Sequence, residues 1–297
     1  MSGKNDTKRL EAAVKSCYST WATNYHTDYY ASANAYPPVH QEIVRDVLRA
    51  RKSRTVLDAG CGPASMLRGL AKLKLQLYGF DLTPEMVVEA RKVMAGFGVP
   101  KERLWEGSVT DPKAFKAKGV SGFDAAICIG VLPHVPEQAD AVVIRNLHRS
   151  VKRGGTVLLE ARNQLFALFT LNRYSYELFA QTLVPAAALG AEGAKALQQM
   201  QKQFRMDLPP VRKGKSGEPG YDEVLSRTHN PFELRAQFEA AGFADVELLF
   251  YHYHALPPMF ERELPALYRE QSLALENPRD WRGYFMASAF ILCGTRR

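Results

Sequence analysis

Cysteine is scarce in this chain of 297 residues: there are four, Cys17, Cys61, Cys128 and Cys293. They stand far apart with no Cys-x-x-Cys pair, which argues against a disulfide framework or a zinc site and predicts reduced, mostly buried thiols and no metal. Long apolar runs are missing too. No stretch reaches the roughly 18–20 residues that span a bilayer, so no membrane insertion is expected. The polar start Met1-Ser2-Gly3-Lys4-Asn5-Asp6 has neither an apolar stretch nor a small-residue cleavage site, which predicts no secretory signal and a cytoplasmic location. Internal repeats and low-complexity tracts are absent. Charge is not piled up in one sign: 39 Lys+Arg face 31 Asp+Glu, a net +8. Basic residues are spread along the chain and cluster only at Arg49, Arg51, Lys52 and Arg54. That cluster reads as a solvated helix end, so no nucleic-acid partner is expected. What is plentiful is apolar material, 46% of residues, enough for a sizeable core and too much for a disordered chain.

That material alternates in a β-then-α pattern from Arg54 onward. Thr55–Asp58 predicts a short buried strand, Ala64–Leu73 a helix, Leu75–Asp81 a second strand and Pro84–Phe97 a helix with proline in its first turn. Leu104–Glu106, Phe123–Ile129 and Thr156–Glu160 predict further strands. A helix over Glu137–Val151 and a turn at Lys152-Arg153-Gly154-Gly155 precede the last of these. Such alternation predicts an α/β, doubly wound fold with a mostly parallel sheet and helices on both faces. The pattern resumes near the end with a helix at Pro231–Ala241 and strands at Asp245–Tyr253 and Tyr284–Cys293. In between lie an aromatic-rich stretch, Phe166–Phe179, and an Ala-rich helical stretch, Ala186–Phe204. The expected organisation is an N-terminal helical cap (1–53), a core (54–160), a helical lid insertion (161–228) and a C-terminal part of the core sheet (229–297).

The most informative segment is Val56-Leu57-Asp58-Ala59-Gly60-Cys61-Gly62-Pro63-Ala64, a strand entering a glycine turn that opens a helix. Gly60 and Gly62 let the chain turn tightly and let a ligand approach the main chain. Asp81 ends the next strand about 20 residues on, where a carboxylate can accept both hydroxyls of a ribose. A dinucleotide site calls for a third glycine near position 65, where Ser65 stands, and the negative charge of Asp58 beside the turn repels phosphate. S-adenosylmethionine carries an ammonium and a sulfonium and no phosphate. Asp58 therefore favours S-adenosylmethionine as cofactor.

With these motifs the sequence resembles the class I S-adenosylmethionine-dependent methyltransferases over roughly Arg54–Glu160 and Asn230–Cys293. Val56–Gly62, Asp81, Phe123–Ile129 with Val131-Leu132-Pro133-His134-Val135, and Leu147–Leu159 carry the resemblance. It implies a seven-stranded Rossmann-like sheet whose last strand runs antiparallel. It also implies that Gly60 and Gly62 lie under the methionine part, Asp81 holds the ribose, Leu82 packs on the adenine, and Ile129 and Gly130 offer backbone near the methionine. Many members have an aspartate after the third strand for the adenine amino group. Here the chain reads Glu106-Gly107-Ser108-Val109, so Ser108 is the substitute, with Val109 beside it.

Members that act on small molecules cover the acceptor with an N-terminal helix and an insertion after the fifth strand. Tyr18, Trp21, Tyr25, Tyr29 and Tyr30 fall at spacings near three and four, so they form either an aromatic docking face or, for Tyr18 and Tyr25, a closure over the methionine end, with Tyr29 toward the acceptor. His134 is the candidate catalytic base, against the plainer reading of a loop anchor. Arg162, Asn163, Arg173, Tyr174, His229, His252 and His254 are candidates for the acceptor site, His252 and His254 sharing a strand face by the period of two. The resulting expectation is methyl transfer to an oxygen or nitrogen of a small molecule of natural-product or saccharide type, with a homodimer as the assembly considered. The competing readings are an RNA or protein methyltransferase, an NAD-dependent oxidoreductase and a cofactor-binding protein without activity.

Overall fold

The computed structural model describes residues 2–20, 37–184, 189–211 and 224–297. Seven strands form one mixed sheet in the order β3-β2-β1-β4-β5-β7-β6. In chain order the strands are β1 (Thr55–Ala59), β2 (Gln76–Asp81), β3 (Leu104–Glu106), β4 (Phe123–Cys128), β5 (Val151–Arg162), β6 (Phe243–Tyr253) and β7 (Ala287–Arg296). Pairing from β3 through β5 is parallel throughout. The last strand is antiparallel, as the resemblance implied.

The hydropathy of each strand follows from its place. Val56, Leu57 and Ala59 of β1 are fully buried because β1 has parallel neighbours on both edges and helices on both faces. The flanking helices are amphipathic. Helix α1 (Ser2–Ser19) and α2 (Val39–Ala50) precede the sheet, and α3 (Ser65–Leu70) follows the glycine turn. Helix α4 (Pro84–Ala95) starts on its proline and buries Met86, Val87, Ala90 and Met94, while α5 (Asp140–Ser150) buries Val143, Ile144 and Leu147. Helix α6 (Pro231–Ala240) is capped by the Asn230 side chain, which accepts from Phe232 N. All four cysteines are free and buried.

Two compact units emerge. The first comprises residues 1–162, 212–249 and 290–297; the second comprises residues 163–211 and 250–289. In the second, Asn163 donates from one amide nitrogen to the carbonyls of Gly283, Tyr284 and Ala287, at 3.2, 2.9 and 2.9 Å. Stretch 250–289, read from sequence as part of the core, thus groups with residues 163–211.

Two local readings change. Lys152–Gly155 lies within the β5 ladder as a bulge, because Phe123 pairs with Val151 and Ala125 with Thr156, leaving Asp124 opposite four residues. Gly155 has no room for a Cβ there, with Lys152 O at 2.8 Å. The strand expected at Tyr284 begins only at Ala287. Residues Gly283–Met286 form a helical turn started by Asp280, which accepts from Arg282 N at 2.8 Å, and pressed onto Phe250 at Gly283.

Candidate active site

At the carboxyl ends of β1, β2 and β4, where open parallel sheets bind ligands, the first unit holds an open cavity of about 780 Å³, solvent at its mouth included. Its floor is the glycine turn. Gly60 N and Cys61 N both donate to Phe80 O, at 2.8 and 2.9 Å, tying the turn to β2. Gly60 has φ +85°, and a Cβ on it would lie 2.2 Å from Val131 Cγ2; Gly62 has φ +51° and open space around it. Gly60 is therefore required by both conformation and contact, Gly62 by conformation alone. Gly60→Ala should cost about 2–4 kcal/mol of stability and Gly62→Ala about 1–2 kcal/mol. Urea unfolding of the two variants checks that order.

Asp81 holds the turn from the side. Its carboxylate accepts from Gly62 N at 2.8 Å and Thr83 N at 2.9 Å. Burial raises its pKa, and these hydrogen bonds pull against that rise. Asp58 lies beneath the turn and does not line the cavity. Its Oδ2 is buried with no hydrogen-bond partner, and burial, reinforced by the charge of Asp81, pushes its pKa up to about 8. The negative charge inferred for it from sequence is thus suppressed at neutral pH.

Across the cavity, helix α1 presents Glu11, Lys15 and Tyr18 on one stripe. Lys15 Nζ meets Glu106 at 3.0 Å. The Glu11 carboxylate accepts from Ser108 Oγ at 2.6 Å and Thr110 Oγ1 at 2.9 Å. Tyr18 Oη lies 2.9 Å from His134 Nε2.

His134 has its other ring nitrogen, Nδ1, 2.7 Å from Leu225 O. A carbonyl only accepts, so Nδ1 carries the proton, Nε2 is the basic nitrogen, and Tyr18 donates to it. Burial, then the charge of Arg162, lowers the pKa of His134 to about 4 against the opposing Leu225 hydrogen bond. The ring is neutral at physiological pH. Leu225 belongs to a strap that binds the same loop again. Arg227 N donates to Pro133 O, and the Arg227 guanidinium reaches Val135 O and both Asp140 oxygens at 2.7–2.9 Å. His229 packs at the end of this strap, 3.5 Å from Asp140. The sequence signal for the strap was slight: an Arg two residues before a His.

A family model described as a methyltransferase domain matches residues 57–157, from β1 into β5. Over this span the chain is similar to a methyltransferase domain. Over 150 residues it is 34% identical to the ubiquinone biosynthesis O-methyltransferase of Xanthomonas axonopodis pv. citri and 31% to that of Xanthomonas oryzae pv. oryzae. Each alignment covers 50% of this chain and 60% of the relative, so the chain spans well under the full length of these relatives. The magnesium protoporphyrin IX methyltransferase of Synechocystis PCC 6803, solved with bound SAH, shares the fold with a TM-score of 0.51 and 17% identity, over 97% of this chain and 100% of that one.

Of the residues anticipated for the methyltransferase site, Tyr18, Gly60, Gly62, Asp81, Leu82, Ser108, Val109, Ile129, Gly130 and His134 line the cavity together. Gly130 N also donates to the buried Glu160 carboxylate. Arg162 bonds Ser226 near the strap. Tyr25 and Tyr29, with Trp21 and Tyr30, lie outside the described residues. Asn163, Arg173, Tyr174, His252 and His254 fall in the second unit. There Asn163 is spent on three carbonyls, and the Arg173 guanidinium stacks 4.9 Å over its neighbour Tyr174. His254 is bound to Tyr268 through Nδ1, with a pKa lowered to about 3 by burial and then by His252. The shared strand face read for His252 and His254 does not form, because β6 stops at Tyr253 and His252 turns to φ +57°. Glu11, Thr110 and Met86 also line the cavity but were not anticipated. Glu11 lay too far from the motif in sequence to be linked to it. Among the described residues no helix is long and apolar enough to cross a membrane, and no cluster of His, Cys, Asp or Glu is arranged for a metal ion.

Proposed function

We propose that this chain transfers a methyl group from S-adenosylmethionine to a hydroxyl oxygen of a small molecule. One observation carries the reading: a neutral histidine of fixed tautomer, hydrogen-bonded through Nε2 to a tyrosine hydroxyl, stands in the wall of a cavity whose floor is the Gly60–Gly62 turn.

The residues present fit the cofactor. Asp81 suits a ribose, Leu82, Met86 and Val109 suit a flat apolar base, and the buried Asp58, outside the lining, would feel a positive charge at the turn through space. S-adenosylmethionine supplies a methyl carbon on a positively charged sulfur that is already a good leaving group. With that group bound, positioning of the acceptor oxygen against the methyl carbon would be most of the catalysis. As the oxygen attacks, its proton goes to the Tyr18 oxygen while Tyr18 passes its own proton to His134 Nε2. The relatives' name, O-methyltransferase, agrees with an oxygen acceptor, and a phenolic hydroxyl is the class tested first.

Titration calorimetry with S-adenosylhomocysteine and with NAD tests the cofactor. Binding of NAD and not of S-adenosylhomocysteine overturns the reading. A labelled-methyl transfer screen over phenols, sugars and amines tests the acceptor.

Asp58 gives this assignment a pH signature. Its native pKa of about 8 exceeds the ordinary 3.8, so between those values the native state holds a proton the unfolded chain has lost, and the group lowers stability as pH rises. A cation seated at the turn favours the ionised carboxylate. Binding of S-adenosylhomocysteine at pH 7 should therefore release protons, seen as a dependence of the calorimetric heat on buffer ionisation enthalpy. Asp58→Asn should abolish that dependence.

A further inference from the structure

We propose that Glu11 of helix α1 is the acceptor for the amino group of the adenine ring, so that the N-terminal helix reads the identity of the base. This rests on the cofactor assignment above. Leu82, Met86 and Val109 line the cavity as apolar side chains suited to a flat ring, and Glu11, bonded to Ser108 and Thr110 on either side of Val109, is the carboxylate beside them. Its Oε1 is fixed by the Ser108 and Thr110 hydroxyls, at 2.6 and 2.9 Å. Its Oε2 receives no hydrogen bond from the described residues. Both hydroxyls are donors to Glu11, so Ser108 holds the carboxylate rather than acting as the base acceptor itself. A carboxylate accepts and does not donate. Facing the edge of a purine, it favours an amino group at position 6 and repels an oxygen there.

The test exploits that polarity. S-Adenosylhomocysteine and S-inosylhomocysteine differ only in the six-membered ring, which carries an amino group at position 6 in the first and an oxygen there with a proton on N1 in the second. Wild-type protein should bind the adenine form about 10- to 100-fold more tightly, the range of a hydrogen bond to a charged group. Glu11→Gln keeps the length of the side chain, its Oε1 can still accept from Ser108 and Thr110, and its amide nitrogen donates to an oxygen. The preference should fall to near unity or invert. Lys15→Met loosens the helix without touching the acceptor, so it should lower both affinities alike and keep their ratio. An adenine preference unchanged in Glu11→Gln overturns the proposal while leaving the cofactor assignment standing. Failure of wild-type protein to bind S-adenosylhomocysteine at all overturns both.

Discussion

Asp81→Ala should weaken binding of S-adenosylhomocysteine by about 10²–10³-fold, the loss of two hydrogen bonds from hydroxyls to a charged group. The effect has a second component, because the same carboxylate accepts from Gly62 N and Thr83 N. Removing it leaves two backbone donors without a partner and frees the floor of the cavity. Asp81→Asn separates these parts. An amide retains one acceptor oxygen and fits the same space, so it should restore much of the turn's order but only part of the affinity. Calorimetry on both variants, with hydrogen exchange at Gly62 and Thr83, reads the two contributions independently. Unchanged affinity in Asp81→Ala would remove Asp81 from the ribose site.

His134→Ala should lower kcat about 10²-fold and leave the affinity for S-adenosylhomocysteine nearly unchanged. The effect falls at the lower end of the range for general bases because a nitrogen with a pKa of about 4 is a reluctant proton acceptor. Tyr18→Phe, which breaks the relay at its other end, should lower kcat to a similar extent, and the double variant should be little worse than either, as for residues that act as one unit. The depressed pKa also fixes the pH profile. His134 becomes cationic only as pH falls through about 4, so the acidic limb of kcat/KM should sit there and not near the ordinary 6.5. Nitrogen chemical shifts of the ring should report a proton on Nδ1 across the neutral range. A ring that titrates near 6.5, or a full-speed His134→Ala, would reduce His134 to a loop anchor.

Much of this architecture was legible in the chain because its signals are local. The glycine turn and the aspartate ending the next strand are set by backbone conformation and by strand-to-strand register, both fixed within a few residues of Gly60 and Asp81. Periodicity likewise placed α4 and α5 to within a few residues. Glu11 and Arg227 were beyond that reach. Glu11 acts on Ser108, 97 positions away, and Arg227 on Asp140, 87 positions away, and no local pattern encodes such a meeting. Similarly, the residues around His252 carry strand-forming aromatics, yet the chain turns left-handed there.

The strap over the loop after β4 bears on how the protein is made. Synthesis runs from the amino end, and domains begin to fold as they emerge. Strands β1 to β5 can pair once residue 162 is out, with His134 already on its loop. The Leu225 carbonyl that accepts from its Nδ1 follows 91 positions later, and Asp140 awaits Arg227, 87 positions later. The nascent sheet can thus form its cleft before the Leu225 and Arg227 contacts that hold the loop after β4 are made.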